Sequence, residues 1–220
     1  MTARTTAFAG LFPGQLSERA GMGEALAAGI PRVDPFFDEV SRRAGVDLRA
    51  TFFGDGAANL HDNLPAQVGV YAVSVAVLDV LDQEFGRYPE AVAGYSLGTY
   101  AAFVAAGALD RWQALDVLLE AERLLGDSPV PGSMGFVIGL TRPVLEELLR
   151  SVTPDTEALS IATENAAQQL VITGDPAAVS EAIALAQPRS LRAELLPLSC
   201  PMHSPRLRDV SERLQRFVEA

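Results

Sequence analysis

The sequence predicts an α/β fold, a parallel-sheet core carrying a smaller inserted lobe, and three observations predict it. Around Ser96 the chain runs strand, turn, helix, the alternation of a parallel sheet. Between positions 134 and 198 the elements follow the order βαββαβ, the ferredoxin-like arrangement. The composition, 49% hydrophobic and 20% charged over 220 residues, is that of a folded protein with one sizeable core.

Residues 6–12 (TAFAGLF) read as a short buried strand stopped by Pro13-Gly14, and Glu18 to Ala28 as a helix. Pro65 to Phe85 is a long apolar helix that has to be buried on most of its surface and ends at Gly86 and Pro89. Ala91 to Tyr95 is a second short strand, and the Ala-rich run Leu97 to Gly107 is the helix after it. The loop Gly126-Asp127-Ser128-Pro129 opens the inserted lobe, read as strand 134–140, helix 143–151, strands 158–163 and 169–173, helix 176–186 and strand 192–198. Residues 201–220 return as a loop and one amphipathic helix. The expected organisation is a core from 1–128 and 199–220 with a ferredoxin-like subdomain at 129–198.

The composition excludes several functions. The net charge is −11 and no lysine occurs, so no basic run exists to track a phosphate backbone and nucleic acid is not an expected partner. An acidic protein partner would need a local basic patch, for which Arg189, Arg192, Arg206 and Arg208 are candidates. A single cysteine, Cys200, rules out an internal disulfide, and two histidines with one cysteine do not build the usual structural zinc site. The start lacks a signal-peptide apolar core, and the longest apolar stretch, Val68 to Leu78, is too short for a membrane span and is followed by Asp79 and Asp82. A cytoplasmic protein with no membrane partner is the expectation.

Gly94-Tyr95-Ser96-Leu97-Gly98 fits G-x-S-x-G at the strand-to-helix turn where a nucleophile elbow belongs, so the core is read as hydrolase-like. The glycines are needed because the sharp turn leaves no room for side chains, and the turn aims N–H groups at a helix N-terminus toward an incoming carbonyl. A serine hydroxyl needs a base, and only His61 and His203 are available. His61 lies in the polar stretch Asn59-Leu60-His61-Asp62-Asn63, read as a solvated loop. His203, in Ser199-Cys200-Pro201-Met202-His203-Ser204-Pro205, follows the last strand of the lobe and is the candidate base for Ser96.

Several motifs together resemble the malonyl-CoA:acyl-carrier-protein transacylases and the acyltransferase domains of polyketide synthases. Phe12-Pro13-Gly14-Gln15 with Gly21-Met22-Gly23 is similar to that family's opening, and the elbow continues through Thr99-Tyr100-Ala101-Ala102 to Ala105-Ala106-Gly107-Ala108-Leu109 in the same manner. Gln67 stands at the position of an active-site glutamine; Asn165 with Gln169-Leu170-Val171-Ile172-Thr173-Gly174 resembles the small subdomain, and Met202-His203-Ser204 the segment with the catalytic histidine. The resemblance implies a ping-pong mechanism: Ser96 takes an acyl group from one thioester, and a pantetheine thiol removes it. It implies an oxyanion hole from the N–H groups of Gln15 and Leu97, and substrate contacts at Gln67, Tyr95, Asn165, Met202 and position 121. It further implies acyl-CoA or a phosphopantetheine thioester as substrate, acyl carrier protein as partner and no bound cofactor or metal.

The chain also departs from that pattern. Where the family holds the free carboxylate of malonate with an arginine, this chain has Ala121; Arg123, two residues on, is about 200° away around a helix. Since an unpaired carboxylate is costly to bury, an uncharged acyl group is expected rather than malonyl. Tyr95 replaces a histidine, Leu16 a glycine and Thr99 a glutamate. The sequence ends at Ala220, short of the family's usual end, so two expectations stand: another chain, such as the second protomer of a homodimer, completes the fold and orients His203, or the fold closes differently. Three alternatives stay open: an acyl-thioester hydrolase using the same Ser-His pair, a malonyl transferase with a different carboxylate anchor, and a non-catalytic partner subunit.

Overall fold

The computed structural model describes residues 7–53, 60–127 and 130–219, which fall into two compact units, Met1–Glu122 and Arg123–Ala220. The expected strand residue Thr6, Asn59 of the polar stretch, and the expected boundary at Ser128 and Pro129 lie outside the described residues. By compactness the division falls inside a helix rather than at that loop, and the C-terminal segment groups with the second unit.

The first unit contains β1 (Ala9–Phe12), α1 (Glu24–Gly29), α2 (Val33–Ala44), α3 (Leu48–Phe52), α4 (Asn63–Phe85), β2 (Ala91–Gly94), α5 (Gly98–Ala105) and most of α6 (Arg111–Asp127). β1 and β2 pair in parallel, with Phe12 opposite Gly94. β1 is not the buried strand its sequence suggests: Ala9 is exposed and Leu11 is 78% exposed, because among the described residues the helices cover only the face that carries Phe12. A groove of about 370 Å³ runs between β1 and α4, lined by Leu11, Val73, Val77 and Leu81 among others, and contains neither Ser96 nor Gln67.

α4 organises this unit. Asp62 stands at the N-cap position, its carbonyl accepting from the Ala66 N–H, and Gly86, in the left-handed conformation at φ 57°, ends the helix, with the Gly86 N–H reaching Asp82 O and the Arg87 N–H reaching Leu81 O. The whole helix has the length and hydropathy of a membrane span, more than the stretch Val68 to Leu78 alone implies, but 61% of its apolar window is buried inside the fold. Val68, Tyr71, Ala72 and Val75 pack with Phe37, Val40 and Phe52, all almost fully buried. Asp79 ties the far half of α4 to its neighbours by accepting from Arg32 at 2.6 Å and from Arg111 at 3.0 Å. Burial pushes its carboxyl up, but the two guanidinium hydrogen bonds outweigh that and hold it below the usual range.

The helix expected from Glu18 begins only at Glu24. Gly21 and Gly23 sit at φ 77° and 83°, a conformation that a right-handed helix cannot contain, and the Gly21 N–H is bound to Phe52 O instead. Glu18 has a different task. Its side chain is fully buried, one carboxylate oxygen accepts the Leu16 N–H at 2.7 Å, and the other meets His61 Nδ1 at 3.0 Å. The segment from Gly14 to Ser17 is thereby pinned, with Leu16 held at φ 73° where the resemblance places a glycine.

The second unit contains β3 (Ser133–Ile138), α7 (Arg142–Val152), β4 (Leu159–Ala166), β5 (Gln169–Gly174), α8 (Pro176–Ala186), β6 (Arg192–Leu195) and α9 (Arg208–Glu219). Its four strands form an antiparallel sheet in the order β4-β5-β3-β6, the ferredoxin-like topology. Val137, Leu170 and Ile172 from the sheet meet Leu145, Leu148, Val179 and Ile183 from α7 and α8 in a separate core. β6 is shorter than its sequence run because Pro197 has no N–H to give the ladder.

Two stability measurements test these packing arguments. Gly69 lies inside α4, where alanine has the higher helix propensity, yet a Cβ there would press on the Phe52 ring and lie 2.7 Å from the Met22 methyl. Gly69→Ala therefore destabilises by about 1–3 kcal/mol in urea titrations; a gain would show that Phe52 yields freely. Glu18→Ala costs about 1–3 kcal/mol, since it leaves the Leu16 N–H without its acceptor. In a double-mutant cycle with His61→Ala the two losses are non-additive by at least about 0.5 kcal/mol, and strict additivity would remove His61 from the pin.

Candidate active site

The turn between β2 and α5 explains why Ser96 is presented. Tyr95 donates its N–H to Phe12 O at 2.9 Å, Gly98 to Tyr95 O at 2.9 Å and Thr99 to Ser96 O at 2.9 Å, so the chain reverses within four residues. Ser96 is left at φ 49°, a conformation rare for a residue with a side chain. The flanking glycines are steric necessities. A Cβ on Gly94 would run into the backbone of Gly98 and Thr99, and one on Gly98 would stand 2.6 Å from the carbonyl carbon of Phe12. Ser96 itself is exposed, and the buried Leu97 follows it at the N-terminus of α5, where the first N–H groups of a helix have no acceptor within it.

The opening loop lies directly against this turn. A Cβ on Gly14 would be 2.8 Å from the Tyr95 ring and 2.9 Å from Tyr95 O, so only glycine lets the backbone leading to Gln15 pass this close. The Gln15 side chain donates to Asn63 Oδ1 at 3.0 Å, which ties the loop to the first turn of α4. Tyr95 is 47% exposed on the outer flank of the turn.

Between α4 and α6 the structure reveals a group that the sequence reading missed. Gln67 is 6% exposed on α4, and its Nε2 donates to Glu122 Oε1 at 2.6 Å; Asn63 Nδ2 donates to the other oxygen of the same carboxylate. Burial raises the pKa of Glu122 above the ordinary value, and the hydrogen bonds from Gln67 and Asn63 partly offset it. Tyr100, one turn beyond Ser96 on α5, is pushed upward by its burial and then by the charge of Glu122, so the acid lies within electrostatic reach of that helix. Ala121, the position singled out in the sequence, is a half-buried alanine, and the side chain of this turn that bonds to α4 belongs to its neighbour Glu122. The clue was available in principle: a glutamine inside an apolar helix requires a polar partner.

In the second unit, His203 stands in a loop of comparable tightness, also at a positive φ of 60°. The Met202 N–H reaches Cys200 O at 2.9 Å and the Ser204 N–H reaches Pro201 O at 3.2 Å on either side of it. Pro201 packs over Gly132, where any Cβ would collide with its ring, and Arg206 bonds Pro131 O at 3.2 Å and pairs with Asp175. The loop is thus fastened to the start of β3 and the end of β5. His203 keeps an open flank, while the protein around the imidazole withdraws enough water to lower its pKa below 6.5. Met202 is half-buried beside it, Asn165 is exposed near the end of β4, and Arg123 is exposed and paired with Asp127 at 2.5 Å. His61 belongs to the Glu18 pin described above. No group of three or more potential metal ligands occurs among the described residues.

The fold and these residues agree with known proteins. The acyl transferase domain family matches residues 10–219. A malonyl CoA-acyl carrier protein transacylase of Bacillus subtilis (strain 168) is 32% identical over 214 residues, covering 96% of this chain and 67% of that protein. The phenolphthiocerol synthesis polyketide synthase type I Pks15/1 of Mycobacterium marinum is 32% identical over 212 residues, 94% of this chain and 10% of the synthase. Among solved structures, a type II polyketide synthase acyl-carrier protein in complex with its malonyl-transacylase gives a TM-score of 0.88 at 30% identity, covering 97% of this chain and 70% of the matched one. The chain spans about two thirds of the transacylases it matches, and with a nucleophile elbow, a parallel strand pair and a ferredoxin-like unit in the matching order it belongs to the acyl transferase domain family.

Proposed function

We propose that this enzyme moves an acyl group from a CoA or carrier-protein thioester to the thiol of an acyl carrier protein through an ester on Ser96, with His203 as the general base. One observation carries the reading. Among the described residues only Leu16, Ser96 and His203 hold a positive φ without being glycine, and these three lie in the loop of the oxyanion-hole candidate Gln15, at the nucleophile and at the base. Each such conformation costs about 1–2 kcal/mol, and backbone strain of this kind concentrates at reacting sites.

In the proposed reaction His203 removes the hydroxyl proton of Ser96 as the oxygen attacks the thioester carbonyl. The N–H groups of Gln15 and Leu97 receive the oxyanion, and the C–S bond breaks with the proton passing from His203 to the departing thiol. The second half reverses these steps, with the carrier thiol as nucleophile. Gln67, Tyr95, Asn165, Met202 and position 121 are proposed to line the acyl group. Ala121 supplies no cation there, and the nearest polar group on the same turn is the acid Glu122, so the acyl group is proposed to be non-carboxylated. The names of the relatives support acyl carrier protein as the acceptor; a reaction without a resident cofactor, in the cytoplasm, is part of the proposal.

Intact-mass measurement after incubation with short acyl-CoAs is expected to show one acyl adduct, absent in Ser96→Ala. His203→Ala is expected to slow adduct formation by about 10²–10⁴-fold. Release of the adduct only on addition of carrier protein marks transfer, whereas equally fast release in buffer makes the protein a thioester hydrolase.

The pH dependence has a defined sign. Burial favours neutral imidazole, so His203 stays competent as a base below the pH at which an ordinary histidine protonates. The rate of Ser96 acylation is expected to be flat from pH 7 to 8 and to fall with acid through a midpoint below 6.5. A midpoint at or above that value in a quenched-flow series counts against the assigned base. Stability shifts with the same sign: the unfolded imidazole takes up its proton more readily, so this contribution is lost as pH drops.

A further inference from the structure

We infer that Glu122 makes the acyl pocket selective for acyl groups that carry an amine, an inference that rests on the transfer reading above and names its substrate class. The carboxylate accepts from Gln67 at 2.6 Å and from Asn63, and Asn63 in turn accepts from Gln15, so the acid belongs to the same polar chain as the loop beside the nucleophile. A carboxylate only accepts hydrogen bonds, which forces both amides to point their NH₂ groups at it. One N–H of each amide is therefore committed to Glu122, and the cation on this turn, Arg123, is paired with Asp127. Each carboxylate oxygen has accepted one bond from these amides and retains room for another. What the pocket offers a ligand is negative charge and acceptor capacity, and an ammonium group complements both. A malonyl carboxylate would meet a like charge, and a plain alkyl chain would leave that charge without a counter-ion.

The test compares three N-acetylcysteamine thioesters of similar length, 3-aminopropionyl, butyryl and malonyl, by the rate at which each acylates Ser96 in the full chain at pH 7. The expected order is aminopropionyl faster than butyryl by about tenfold or more, with malonyl slowest. In Glu122→Gln the amino-to-butyryl ratio falls toward one, and in Glu122→Asp, which keeps the charge, a preference for the amine remains. Equal or slower acylation by the amino thioester in the unmodified protein, with Ser96 still labelled by butyryl, overturns the inference and leaves the transfer reading standing. A ratio unchanged in a folded Glu122→Gln protein also overturns it, because the selectivity then resides elsewhere. No adduct from any of the three thioesters removes the transfer reading and the inference together.

Discussion

Two stretches of backbone pass each other at the end of β2 with no space for a side chain between them, and the rest of the candidate site depends on that closeness. Gly98 lies against the carbonyls of Phe12 and Pro13, Gly94 lies against the start of α5, and Gly14 lies against Tyr95. Were any of the three to carry a Cβ, strand, turn and opening loop would have to separate. Ser96 could then relax out of its left-handed conformation, and its hydroxyl would no longer stand at the head of the helix. The parallel pairing of β1 with β2 sets this up, because Phe12 opposite Gly94 is the last rung before both chains turn away.

Around that steric core the polar groups form a supporting layer. The loop bearing Gln15 is held from one side by buried Glu18 and from the other by Asn63, and Asn63 shares Glu122 with Gln67. The hydrogen bonds join the opening loop, α4 and α6, so residues far apart in sequence are positioned together. This also places a carboxylic acid in water-poor surroundings, where its charge is dear to maintain unless neighbours donate to it. The two amides meet part of that cost, and a bound cation would meet more.

The sequence was most legible where local rules decide the outcome. The elements of βαββαβ emerge within a few residues of their observed bounds, because the hydrophobic period changes from two to 3.6 and back and Gly or Pro punctuates the changes. The elbow was legible for the same reason: five adjacent residues make it. Long-range partners were not. Glu18 is followed by what reads as a helix, and only its contact with His61, 43 residues away, shows why the chain stays irregular there. Gln67 finds Glu122 across 55 residues, a pairing that no window of sequence contains. The exposure of Leu11 was hidden likewise, since an apolar strand reads as buried whether or not another layer covers it.

That strain falls on both proposed reacting residues has a consequence for how such a site is maintained. Ser96 and His203 belong to different compact units, and each is forced into its rare conformation by bonds and close packing within its own unit: the Phe12–Tyr95–Gly98 relay for the serine, and Pro201 over Gly132 with the Arg206 contacts for the histidine. A side chain held by its own backbone loses little freedom when it reacts, so neither residue needs the other to be ordered beforehand. Preorganisation is therefore written twice and independently, so on the proposed mechanism each loop is a local determinant of the reaction. On that mechanism a substitution that relaxed Gly132 or Gly14 would weaken the chemistry while leaving Ser96 and His203 in the sequence.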